Sequence, residues 1–125
     1  MIPKIRAFIK DENKVVDVKE LSFKYDEVVY ETGRYTEVRR FRDVEFMQST
    51  GLKDKNGTEI YEGDIVQHSE KPNPCFSYPF KVIQARTGEW RLDNFRCGTV
   101  LAFSNQDELE VLGNIYENPE LLEDE

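Results

Sequence analysis

Short apolar runs separated by turn-forming residues punctuate the chain, and they read as strands. Ile5-Arg6-Ala7-Phe8-Ile9 and Lys14-Val15-Val16-Asp17-Val18 flank Asp11-Glu12-Asn13, whose turn chemistry predicts an opening hairpin. Leu21-Ser22-Phe23 follows. Glu27-Val28-Val29-Tyr30-Glu31 runs into Thr32-Gly33, and Tyr35 to Phe41 completes a second strand–turn–strand unit. Between Phe41 and Met47 apolar residues fall on both alternating sets, so the pattern leaves the core face of that stretch undecided. Asn56-Gly57 predicts a type I′ turn tip, because that turn needs positive φ at both central residues and Asn-Gly tolerates it best. Gly63 and Asp64 form a further turn feeding Ile65-Val66-Gln67-His68. Two prolines in Lys71-Pro72-Asn73-Pro74 remove backbone donors, which predicts an irregular exposed loop over residues 69–78. Phe80 to Arg86, a Thr87-Gly88 turn, Glu89 to Leu92, and Gly98 to Phe103 supply three more strands. Val111 to Tyr116 reads as the last strand, and Asn118-Pro119-Glu120-Leu121-Leu122 as one helical turn with a cap residue and proline at its start. Many short strands with close turns imply a mainly β barrel or sandwich.

Composition agrees with that pattern. Val and Ile together number 18 against 11 for Ala and Leu, and 15 residues are aromatic, a balance that favours strands. With 125 residues, no internal repeat and no linker, the chain is expected to form one domain spanning 1–125. Its longest apolar runs fall far short of the roughly 20 residues a membrane helix needs, so a soluble protein is expected. The start, Met1-Ile2-Pro3-Lys4-Ile5-Arg6, lacks the pattern of a signal peptide, which makes an intracellular site the default expectation. The net charge of −8 is unevenly spread. Residues 1–96 hold 17 basic and 17 acidic side chains, whereas residues 97–125 hold eight acids and no Lys or Arg. Residues 118–125 are expected to be a solvated, frayed acidic end.

Candidate chemistry is sparse. His68 is the single histidine, and Cys75 and Cys97 lie without Cys-x-x-Cys spacing, so neither a zinc site nor Cys–His catalysis finds support in the spacing. Placing Gly57 at the sixth position of a calcium loop puts Leu52 first and Gly63 twelfth, neither of which offers a side-chain oxygen. Asp64 with Glu89-Trp90-Arg91 loosely matches the acid–acid–lysine set of metal-dependent nucleases, but Arg stands in place of Lys, and with 25 acids such spacings arise by chance. The expectation is no catalytic residue, no cofactor and no metal. Arg34, Tyr35, Arg39, Arg40 and Arg42 form the only basic concentration, with Phe41 interleaved. Nucleic acid could use such arginines for phosphates and the rings for stacking. A solvated strand face opposite a core phenylalanine explains the same residues.

Met47-Gln48-Ser49-Thr50-Gly51-Leu52-Lys53-Asp54-Lys55-Asn56-Gly57-Thr58-Glu59-Ile60-Tyr61-Glu62-Gly63-Asp64-Ile65-Val66 resembles the signature of the YopX-like family of phage and prophage proteins. The opening residues around Ile5 to Val18 and the ending Val111-Leu112-Gly113-Asn114-Ile115-Tyr116-Glu117-Asn118-Pro119-Glu120-Leu121-Leu122 are similar to those of the family as well. The resemblance implies a small SH3-like barrel with extra N-terminal strands and a short C-terminal helical turn, a phage or prophage origin, and residence in the bacterial host cytoplasm. It brings no catalytic residues. The turn residues Asn56, Gly57, Gly63 and Asp64 then have a structural role. The functional expectation is non-catalytic binding as a homo-oligomer or to a host or phage protein, with nucleic-acid binding through Arg34, Arg39, Arg40 and Arg42 as the alternative and a metal-dependent nuclease as a distant one. No membrane partner is expected.

Overall fold

The computed structural model describes residues 4–68, 79–94, 99–102 and 109–122, the third of these segments in backbone only. The expected 69–78 loop, Cys75 and Cys97 lie outside the described residues. The fold is mainly β, as expected, with a curled half-barrel sheet and a short 3-10 turn, Pro119–Leu122, after the last strand. The chain packs as two compact units, residues 1–49 and 50–125.

In the first unit β1 (Ile5–Ile9) and β2 (Lys14–Asp17) form the expected hairpin, with Ala7 opposite Val16. β3 (Glu20–Ser22), β4 (Glu27–Thr32) and β5 (Tyr35–Arg40) form a three-stranded antiparallel sheet. Strand alternation turns Val28 and Tyr30 of β4 inward, where they are buried with Ala7, Ile9 and Val44, and Val16, Val18, Leu21 and Phe41 pack around them. The strand expected to reach Phe41 ends at Arg40. Phe41–Asp43 is a 3-10 turn, held by the Phe41 amide donating to the Asp26 carbonyl at 2.8 Å. β6 (Val44–Lys53) follows and pairs antiparallel with β1, Val44 opposite Ile9 and Phe46 opposite Ala7. Directly opposed residues share a face, so Val44 and Phe46 lie on the side of the buried Ala7 and Ile9. Met47 is buried on the other side. That arrangement resolves the ambiguous alternation: both faces of the strand carry an apolar residue.

In the second unit β7 (Glu59–Tyr61) pairs with β6. β8 (Asp64–His68), β9 (Phe80–Gln84), β10 (Trp90–Asn94), β11 (Thr99–Ala102) and β12 (Leu109–Asn114) form a five-stranded antiparallel sheet in the order β11-β10-β9-β8-β12. β8 lies between β9 and β12, and four of its five residues are buried, His68 among them. Ile60, Val66, Phe80, Val82, Leu92 and Leu109 form the core. The β8–β12 register slips between Val111 and Gly113, so Leu112 is the extra residue of a bulge and faces solvent.

Candidate functional site

The turn residues belong to the second unit and are organised around two buried carboxylates. Asp54 is only 6% exposed, and its Oδ1 accepts from the amides of Asn56 at 2.8 Å and Thr58 at 2.9 Å. Its Oδ2 accepts from the amide of Val111 at 2.9 Å, tying the turn to β12. Burial pushes this carboxyl upward, but the amides of Val111, Thr58 and Asn56, with Lys55 nearby, outweigh it and hold the group below its ordinary value of 3.8.

The turn itself differs from the expected type I′. Gly57 has φ of +82°, whereas Asn56 has no positive φ. The Gly57 amide donates to the Asp54 carbonyl at 3.0 Å and the Asp54 amide to the Thr58 carbonyl at 2.8 Å. That is a three-residue loop in which a left-handed glycine follows an ordinary turn. The Asp54 carboxylate supports this loop by accepting from the amides of Asn56 and Thr58 within it.

Asp64 is 2% exposed, and its Oδ2 accepts from the Tyr61 amide at 2.8 Å across the Gly63 turn. Glu89, its partner in the nuclease pattern, sits exposed beyond the β9–β10 turn, where its bond to Arg91 holds it below its ordinary value. Among the described residues no group of three or more His, Cys, Asp or Glu side chains is placed to hold a metal ion.

The ending contains a third polar hub that the sequence did not announce. Asn114 Oδ1 accepts from the amides of Tyr116 at 3.0 Å and Glu117 at 2.8 Å, while its Nδ2 donates to Glu117 at 2.9 Å. Asn118 closes over the same place, its Oδ1 accepting from the Asn114 amide at 3.3 Å. A Cβ on Gly113 would stand 2.4 Å from that oxygen, so any larger residue would have to displace the Asn118 side chain.

The arginines belong to the first unit, and the structure divides them. Arg39 faces inward over the Tyr30 ring, its guanidinium carbon 5.8 Å from the ring centroid. Three carboxylates surround it: Asp11 at 3.0 Å, Glu12 at 3.3 Å and Glu37 at 3.3 Å. The Asp11 bond foremost stabilises its charge, and Tyr30 donates its hydroxyl to Glu12 at 3.0 Å. Arg39 therefore serves as a clamp between the β1–β2 turn and β5. Arg34 and Tyr35 sit at the other end of β5, beside the β4–β5 turn, with Tyr35 72% exposed.

Arg40 and Arg42 come together at the end where β3 turns into β4. They line a cavity of about 540 Å³ with Tyr25, Asp26, Glu27 and Phe41. Phe41 meets Phe23 edge-on with centroids 5.8 Å apart and Phe46 edge-on at 5.3 Å. Phe23 is 76% exposed and Tyr25 64%, with the Lys24 ammonium 5.3 Å from the Tyr25 ring centroid. Among the described residues Lys24, Arg34, Arg40 and Arg42 have no carboxylate within ion-pair distance, whereas Arg6, Lys10, Lys14, Lys19 and Arg39 of the same unit each have one. Sequence reasoning missed Phe23, Lys24 and Tyr25. The available signal was two rings within a four-residue turn, where strand alternation offers them no core face.

No described helix is long and apolar enough to cross a membrane. A search of curated proteins found no match. Among solved structures the chain is similar to protein EF1440 from Enterococcus faecalis, at 28% identity and a TM-score of 0.67, covering 98% of this chain and 99% of that one. It shares its fold with protein yopX from Bacillus subtilis, at 19% identity and a TM-score of 0.62, covering 100% of this chain and 99% of that one. A family model described as YopX protein matches residues 4–123, and the chain belongs to the YopX family.

Proposed function

We propose that the protein acts by non-catalytic binding to protein, self-association included, through the end of the first unit that carries Phe23, Tyr25, Arg40, Phe41 and Arg42. The observation that carries this reading is the exposure of Phe23 and Tyr25 beside cations with no carboxylate partner among the described residues. Surface rings and arginines of this kind are the residue types that dominate protein interfaces. Asp54 and Asp64 also favour binding over catalysis, since both bond backbone amides within the fold. On the family resemblance we assign the action to the bacterial host cytoplasm, with a phage or host protein as partner. Nucleic acid is the weaker reading. The cavity that holds Arg40 and Arg42 also holds Asp26 and Glu27, and a continuous polyanion would run past both acids.

A photo-crosslinking amino acid placed at Phe23 tests the reading, with the exposed Leu112 of the second unit as the reference position. Adducts from position 23 and none from 112, in cells producing the protein, are the expected result. Equal labelling at both positions, or none at 23, would remove this end as a binding surface.

A further inference from the structure

We infer that a second copy of this chain occupies that surface, seating its own acidic segment, residues 120–125, on the Lys24, Arg40 and Arg42 end. The inference rests on reading this end as a binding surface and goes on to name what it binds.

Charge is distributed by unit. Residues 1–49 hold ten basic and ten acidic side chains, so the whole net charge of −8 belongs to residues 50–125. Within the neutral first unit five of the ten bases are paired locally, and the three beside the exposed rings that have no carboxylate partner among the described residues are Lys24, Arg40 and Arg42. The binding end thus offers two chemistries together: positive charge for carboxylates, and the Phe23, Tyr25, Phe41 and Phe46 rings for apolar side chains. Residues 120–125, Glu-Leu-Leu-Glu-Asp-Glu, offer the complement, four acids around two leucines. Glu120 is exposed and Leu121 and Leu122 are only half-buried. If the exchange is reciprocal, each copy gives its acidic segment to the other and the contact closes as a two-fold pair.

A charge swap tests this. One variant reverses the surface, Arg40→Glu with Arg42→Glu. The other reverses the segment, Glu120→Lys with Glu123→Lys, Asp124→Lys and Glu125→Lys. All the changed side chains on the surface are exposed, and far-ultraviolet circular dichroism confirms that each variant keeps its strands. Light scattering and sedimentation are expected to show the unmodified chain associating reversibly, more weakly at high salt. Each variant alone loses at least about tenfold in association constant, because repulsion replaces attraction. An equimolar mixture of the two regains it, since each then meets a complementary partner. A monomeric unmodified chain at low salt, an association indifferent to either reversal, or a mixture that stays monomeric would overturn the inference. A failed swap with crosslinks still confined to position 23 leaves the binding surface standing and removes only the second copy as occupant. Binding of a labelled oligodeoxythymidylate that the Arg40 and Arg42 reversal abolishes would replace protein by nucleic acid and overturn both readings.

Discussion

Replacing Asp54 with alanine strips the Asp54–Thr58 turn and β12 of a shared acceptor. Three backbone amides, those of Asn56, Thr58 and Val111, lose their partner within a site 6% exposed to solvent. Hydrogen bonds to a charged group contribute about 1.5 to 3 kcal/mol each, and they are not additive within one network. Removing the carboxylate also removes the cost of burying it, so the expected loss is about 3 to 5 kcal/mol, a large share of a small domain's stability. Asp54→Asn separates the terms. Its Oδ1 can still serve Asn56 and Thr58, while its amide group meets the Val111 N–H, which leaves a loss of about 2 kcal/mol. Trp90 is the chain's single tryptophan and packs on the second unit's core, so urea unfolding followed by its fluorescence reports on this unit. The pH dependence follows from the lowered folded-state value. The unfolded chain titrates near 3.8 and binds the proton more readily, so the stabilisation is fully present above that pH and disappears as pH falls through the lower folded value. Asp54→Asn should lack that acid limb. An alanine variant within about 0.5 kcal/mol of the unmodified chain, as for an ordinary surface change, would refute the hub.

Three further outcomes are expected. Gly57→Ala should cost about 1 to 2 kcal/mol for its left-handed backbone, and Asn56→Ala under about 0.5 kcal/mol; comparable losses at both positions would restore the type I′ turn. Gly113→Ala should lose about 1 to 3 kcal/mol by pushing Asn118 off Asn114, and Asn118→Ala in the same chain should absorb part of that loss, a coupling that denaturation midpoints of the two singles and the double measure. In the first unit, burial and the Glu12 bond push Tyr30 up to about 12, so the hydroxyl's contribution holds below its unfolded value of 10.0 and is lost as pH rises towards 12. Arg39→Met removes the positive charge that opposes this shift and should raise the Tyr30 value further, which tyrosine-selective NMR titration reads; an unchanged value would show that the guanidinium does not face the ring.

Local pattern carried most of the elements. The β1–β2 hairpin, the strands around Val28, Ile65, Val82 and Leu92, and the last helical turn are all legible, because alternation and turn chemistry act over a few residues. The break at Phe41 was hidden, since a 3-10 turn of three residues has no period of its own and is held by the Asp26 carbonyl from the β3–β4 turn, fifteen positions earlier in the sequence. The boundary between the two compact units falls at residue 49 inside β6, where no glycine- or proline-rich linker marks it.

The candidate surface shows the same limit. Sequence proximity grouped Arg39 with Arg40 and Arg42, yet one residue of strand offset turns Arg39 inward to Asp11, Glu12 and Glu37 and leaves its neighbour outside. By itself the sequence determined a mainly β chain of YopX type, its turns and its charge imbalance, all properties of neighbouring residues. Tertiary structure alone decided which carboxylates bond backbone amides and which cations stay without a partner among the described residues. The Asp54–Val111 and Arg39–Asp11 pairings join positions tens of residues apart, and a charge is spent or left available only by what the fold brings within a hydrogen bond's reach.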